Sequence, residues 1–167
     1  MEHISLDAVP LADACPAPVH SDAPDDDHLA RILAATRRIA IVGASPNPSR
    51  TSYQVAIWLM EHTPYELYMV NPAAVDEEIR GHGFYASLAD LPVKVDMVDV
   101  FRRAEFTPAI ARATAEADAN SLWLQLGIRS QEAMEIADAA GIDAIQNRCI
   151  KVEYRRLESR IRELRGE

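Results

Sequence analysis

Five apolar runs in this chain each end in a short polar segment, and the residue types there are those that grip anions. Gly43-Ala44-Ser45 follows the first run, with Asn47 and Arg50 a few residues on. Val70-Asn71-Pro72 closes the second, Phe101-Arg102-Arg103 follows the third, Gln125, Gly127 and Arg129 the fourth, and Asn147-Arg148-Cys149 the fifth. Arginine stands in four of these five segments, and its planar fork suits bidentate contact with phosphate oxygens. Within the segments only Glu105 opposes them. Each arginine alone reads as a solvated charge, but as a set on one edge they point to an anionic ligand. Reaction chemistry is less visible. No Ser/His/Asp order, carboxylate pair or His/Cys cluster with metal-ligand spacing stands out. His82 and Asp99 read as a turn histidine and a strand-end carboxylate rather than an acid–base pair. The sequence therefore shows a binding site more clearly than a catalyst, and assigns no catalytic or metal-ligating residue.

For these segments to act together they must lie on one edge of one sheet. The stretches 39–42, 66–70, 95–100, 121–125 and 142–145 are short apolar runs bounded by turn residues, as expected of strands buried on both faces. Helical patterns lie around them. Leu29, Ile32, Leu33 and Thr36 follow the acids Asp25, Asp26 and Asp27, with Arg37-Arg38 closing that helix. Tyr53, Ala56, Ile57 and Met60 mark a second helix from about Ser52. Thr107-Pro108 opens a third. Ser130 caps a fourth, lined by Ala133, Ile136, Ala137 and Ala140 and stopped by Gly141. Ile150, Tyr154, Leu157, Ile161 and Leu164 stripe the last, read as covering the sheet rather than as a dimer seam. The stretch 73–91 reads as irregular, with Phe84-Tyr85 adding at most a brief strand. This alternation predicts a Rossmann-like, doubly wound α/β fold: a five-stranded parallel sheet with helices on both faces. Ligands of such sheets lie outside the carboxyl ends of the strands, where the polar segments fall.

The turn after the first strand carries most weight. Gly43 lets the backbone turn tightly, and the next helix offers its free amides to a phosphate. The full GxGxxG fingerprint is absent: Pro46 and Pro48 occupy the loop instead, so only the strand–turn–helix context speaks for it. A site for NAD usually places Asp or Glu after the second strand to hold the ribose hydroxyls. Asn71-Pro72 stands there. A carboxylate would repel a phosphorylated ribose, so its absence suits a ligand richer in phosphate, and coenzyme A, with a 3′-phosphate and a pyrophosphate, fits.

The segments Ile41-Val-Gly-Ala-Ser-Pro-Asn-Pro48, Val70-Asn-Pro72, Ser87-Leu-Ala-Asp-Leu-Pro92, Val98-Asp-Val-Phe-Arg-Arg103, Trp123-Leu-Gln-Leu-Gly-Ile128 and Asn147-Arg-Cys149 occur in this order and resemble the stand-alone CoA-binding domain proteins. The resemblance covers about residues 28–157. It implies the Rossmann-like CoA-binding fold also found in the α subunit of succinyl-CoA synthetase, and binding of coenzyme A or an acyl-CoA. By that similarity Gly43, Ala44, Ser45 and Arg50 would cradle the phosphates. Val70, Asn71 and Pro72 would flank the nucleotide, and Phe101, Arg102, Gln125 and Gly127 would line the rest. The ligases need a second domain bearing a phosphorylated histidine, for which this chain has no room, so their reaction is not carried over. An NAD(P)-type oxidoreductase or a CoA-dependent enzyme subunit is the alternative. Cys149 follows a cation at a helix start, a setting that activates thiols toward a mixed disulfide with CoA. The preferred reading is a small residue packed under the helix.

The bulk numbers are consistent with this. A chain of 167 residues holds one domain. Its net charge of −9 is uneven: residues 1–27 carry seven acids and no Lys or Arg, leaving a net of −2 from residue 28 onward. Residues 1–24 read as a disordered acidic tail and 25–167 as the domain. Without a basic excess there is no case for nucleic acid as partner. No apolar run reaches membrane-spanning length and no signal peptide opens the chain, so a cytoplasmic protein is expected. With Cys15 in the tail, Cys149 has no evident disulfide partner. A homodimer or a partner enzyme remains open.

Overall fold

The computed structural model describes residues 24–167; apart from Pro24, the expected acidic tail, with Cys15, lies outside the described residues. Seven strands form one sheet: β1 (Arg38–Val42), β2 (Glu66–Val70), β3 (Glu78–Ile79), β4 (His82–Tyr85), β5 (Met97–Val100), β6 (Ser121–Leu124) and β7 (Asp143–Ile145). Around them lie α1 (Asp26–Ala35), α2 (Thr51–His62), α3 (Thr107–Glu116), α4 (Gln131–Ala139) and α5 (Ile150–Arg165). The strand order is β3-β4-β2-β1-β5-β6-β7, and every pairing is parallel except β3 with β4.

The expected five-stranded sheet is corrected to seven. Both additions come from the stretch read as irregular. β4 adds to β2 in parallel, Met69 opposite Phe84, and β3 turns back on it with Ile79 opposite His82. The connection is a two-residue hairpin whose central residues, Arg80 (φ 46°) and Gly81 (φ 82°), both have positive φ. Hairpins with such turns usually announce themselves as Asn-Gly or Asp-Gly. Gly81 marks a turn in the sequence and Phe84-Tyr85, read as a brief strand, ends β4, but Arg80 in place of Asn or Asp hides the hairpin, and the two-residue β3 is too short to show a period. The first helix also stops earlier than expected: Arg38 opens β1, and the Arg37 and Arg38 amides both donate to Asp96 Oδ2 at 2.9 Å.

Side chains alternate across the strands and divide the core in two. Ile39, Ile41, Met69, Met97, Trp123 and Ile145 pack with α1, α2 and α5. Ala40, Val98, Val100, Leu122, Leu124 and Ala144 pack with α3 and α4. The α5 stripe is core as expected, with Ile150, Tyr154, Leu157 and Ile161 buried. α5 is tied to α1 by Arg156, which donates to Asp26 at 2.7 and 2.8 Å, and by Arg160, which donates to Asp27. Ser130 caps its helix as read, accepting from the Ala133 amide, and Asp25, read only as one of three acids at a helix start, proves to be the N-cap of α1, accepting from the His28 amide. Among the described residues no helix is long and apolar enough to cross a membrane.

This order places the site. The chain leaves β1 for β2 on one side, then returns past β1 to β5 on the other. The crossovers diverge there, opening a crevice at the carboxyl ends of β1 and β5.

Candidate functional site

Gly43 holds the turn after β1 at φ +84°. A Cβ there would stand 3.0 Å from both the Phe101 carbonyl oxygen and Arg102 Cδ, so this position excludes a side chain on two grounds. The Gly43 amide donates to Val70 O at 2.9 Å, locking the turn to β2. Ala44 is fully buried, and its carbonyl accepts from Asn71 Nδ2 at 2.9 Å. The Ser45 amide donates to Ser52 Oγ, Ser45 Oγ accepts from the Asn47 amide, and Asn47 Oδ1 accepts from the Ser49 amide and hydroxyl. These hydrogen bonds hold the two-proline loop in place of the missing glycines. Ala44, Ser45 and Asn47 therefore shape the cradle chiefly from within.

The loop delivers the start of α2 to the edge. Its N-cap is Arg50, with no side-chain cap and no acid in the first turn. Uncapped amides at a helix start attract an anion. Arg50 is exposed, Arg102 half-buried, and neither forms an ion pair with any described residue. Arg102 Cζ lies 4.3 Å from the centre of the Phe106 ring, which holds the guanidinium beside Gly43. The expected arginine set is thinned elsewhere. Arg148 is met by Glu153 at 3.5 Å, an acid the sequence reading did not weigh, and Arg103 by Glu105 at 3.5 Å.

Beside Gly43 and Arg102 lies a cleft of about 280 Å³. Of the expected residues, Gly43, Val70, Pro72 and Arg102 line it; Leu88, Phe106 and Ile110 do so too and had no assigned role. Leu88 sits inside one of the recognised motifs, but Phe106, just ahead of a helix, carried no signal. A larger hollow, about 990 Å³, opens at the opposite, amino ends of the strands. Its polar groups already satisfy one another: Arg38 pairs with Glu66, Asp96 accepts from two backbone amides, and Arg165 donates to Leu33 O and Tyr154. Arg37 also lines it, exposed and without an ion pair to any described residue, but the helix ends there are the carboxyl ends of α1 and α5, whose carbonyls repel an anion.

Asn71, where an NAD site would carry an acid, is spent on the backbone. Its Nδ2 serves Ala44 O, and its Oδ1 accepts from the Ala73 amide at 2.9 Å. Beyond β5 the edge continues past Phe101, half-buried against the α1/α2/α5 side, to Gln125 and Gly127. Gly127 has φ +86°, and its amide donates to Asn147 Oδ1 at 2.8 Å. Gln125 is buried and donates through Nε2 to Asp99 Oδ1 at 2.6 Å. Asp99 is fully buried between its strand partners Ile41 and Trp123, and its Oδ2 has no partner among the described residues. Burial pushes its carboxyl up to about 7, against opposing pulls from Gln125 and the Val100 amide.

His82 belongs to β4, three strands from Asp99 on β5, or about 14 Å at the usual spacing, so the two do not form a pair. Trp123 is fully buried, as expected, and its Nε1 donates to Arg148 O at 2.8 Å. Cys149 caps the start of α5 and packs half-buried against the core beneath, in line with the packing reading. Among the described residues no group of three or more His, Cys, Asp or Glu side chains could hold a metal ion.

Residues 37–155 match the family described as CoA binding domain. Protein YneT of Bacillus subtilis (strain 168), itself uncharacterized, is 37% identical over 131 residues, spanning 78% of this chain and 95% of that protein. A hypothetical protein from Pyrococcus horikoshii OT3 superposes with a TM-score of 0.77 at 35% identity, covering 82% of this chain and 94% of that one. The dinucleotide forming acetyl-coenzyme A synthetase 1 of Ca. Korarchaeum cryptofilum shares the fold, with a TM-score of 0.61 at 23% identity. That match covers 71% of this chain and 28% of the synthetase.

Proposed function

This chain belongs to the CoA binding domain family, and from that premise we propose that it binds coenzyme A or an acyl-CoA at the carboxyl edge of its sheet. The observation that carries the reading is the turn at Gly43 leading to an uncapped helix start, between two arginines that no described carboxylate neutralises. Two built features meet there. Amides and guanidinium groups suit the phosphates, and an adjoining apolar cleft suits a flat ring. In this reading the pyrophosphate lies against the Gly43–Ser45 turn and the first amides of α2, held by Arg50 and Arg102. The adenine enters the cleft between Pro72, Leu88 and Phe106. Asn71, bound to its own backbone, is not available to take ribose hydroxyls as an acid would in an NAD site.

The reading is one of binding, in a cytoplasmic setting, with no reaction assigned. Its test is direct: denature the purified protein and weigh the small molecule released. CoA or an acyl-CoA is expected; NAD or NADP would overturn the reading. Thermal shifts with added CoA, dephospho-CoA and NAD provide the second measurement, since a ligand of the native state raises stability by mass action. CoA should shift the melt most. Equal shifts from CoA and dephospho-CoA would remove any contact with the 3′-phosphate.

A further inference from the structure

The nucleotide end of the proposed ligand is accommodated by β1, β2, β5 and α3. At the other end of the edge, over β6 and β7, Arg148 is paired with Glu153, and the most unusual feature is the Asp99–Gln125 pair. A carboxyl group with no exposed surface, wedged between Ile41 and Trp123, is costly to bury. It makes a single side-chain hydrogen bond, to the Gln125 amide nitrogen at 2.6 Å. A glutamine amide has two faces that exchange on a half-turn, a donor side and an acceptor side. Asp99 Oδ1 accepts, so it selects the orientation with Nε2 inward. Gln125 Oε1 is left with no partner among the described residues, and the residue keeps 4% of its surface exposed where Asp99 keeps none.

We propose that Asp99 is a positioning residue: it fixes the Gln125 amide so that the β6 end of the site presents a hydrogen-bond acceptor to the amide-bearing pantetheine arm of coenzyme A. The inference rests on the CoA reading above. With phosphates at the β1 turn and the ring in the cleft on the β2 side, the arm runs toward β5 and β6. The arm carries two amide N–H groups, and an outward Oε1 at Gln125 accepts from one of them. Gly127 lacks a side chain two residues on, and a Cβ there would meet nothing within 4 Å, so the edge stays open.

The test compares CoA with adenosine 3′,5′-bisphosphate, which keeps the nucleotide and phosphates and lacks the arm, by calorimetric titration of the intact protein. Wild type should bind CoA more tightly. Asp99→Leu frees the amide to turn and should weaken CoA about tenfold, leaving the bisphosphate within about twofold. Asp99→Asn keeps an acceptor toward Gln125 and should retain most CoA affinity. Gln125→Leu should lose as much as Asp99→Leu, and the double variant no more than either, because one acts through the other. Equal weakening of both ligands, additive losses, or Gln125→Leu binding CoA as wild type does would each overturn the proposal. Should Asp99→Leu not fold, Asp99→Val takes its place and is read in the same way, because Gln125→Leu reports the contact and not its positioning. Failure of wild type to bind CoA at all would instead strike the functional reading, and this inference with it.

Discussion

Asp99 makes a sharp prediction about stability. Its carboxyl is raised to about 7 in the folded chain from a reference value of 3.8, because burial disfavours the charged form. The folded state therefore holds a proton that the unfolded state has released. Stability is full below about pH 4, falls by about 1.4 kcal/mol per pH unit up to about pH 7, and is flat above. Between pH 5 and 7.5 the loss is about 2–3 kcal/mol, a large share of the 5–15 kcal/mol usual for a domain. Asp99→Asn cannot ionise. It retains an acceptor for Gln125 Nε2 and places an amide nitrogen where Oδ2 lacks a partner among the described residues, a fixed cost of about 1–3 kcal/mol. The assay is urea denaturation of both proteins at pH 5, 6, 7 and 8, followed by fluorescence, with Trp123 adjacent to the substituted side chain. The variant should be the less stable at pH 5 and should gain on wild type by about 2–3 kcal/mol by pH 7.5. A stability difference that stays constant from pH 5 to 8 would refute the account of Asp99 as a buried, neutral acid.

Two further substitutions probe the edge. Gly43→Ala must hold an L-residue at positive φ and meet a backbone carbonyl at 3.0 Å, so melting should report a loss of about 2–4 kcal/mol; a loss under about 1 kcal/mol would contradict the geometry. Arg50→Ala and Arg102→Ala leave no carboxylate unpaired, so stability should change little while CoA affinity falls about 10- to 100-fold for each. Unchanged affinity in either would remove that residue from the site.

Much of this was legible before folding. Buried parallel strands are unbroken apolar runs, so β1, β2, β5, β6 and β7 stood out, and with them the carboxyl edge where a ligand belongs. A capping residue such as Ser130 is local in its action and could be read directly. The β3–β4 hairpin could not, because its pairing is decided by the exposed edge of β2 rather than by its own composition. The same limit applied to charges. Arg148 and Arg50 look alike in sequence, and only the turn of α5 that brings Glu153 to Arg148 distinguishes them. Phe106 joined the site because α3 folds back over the β1 and β2 ends.

The class of fold, the order of its elements and the segments at the carboxyl ends of the strands are written in the sequence, since periodicity and turn residues act over a few positions. Only the tertiary structure decided which of those residues line the cleft and which are consumed as scaffold. It also made Asp99, a strand-end carboxylate by sequence, into a sealed acid bonded to Gln125. Burial, ion pairing and hydrogen-bond partners depend on neighbours distant in the chain, and no local pattern records them.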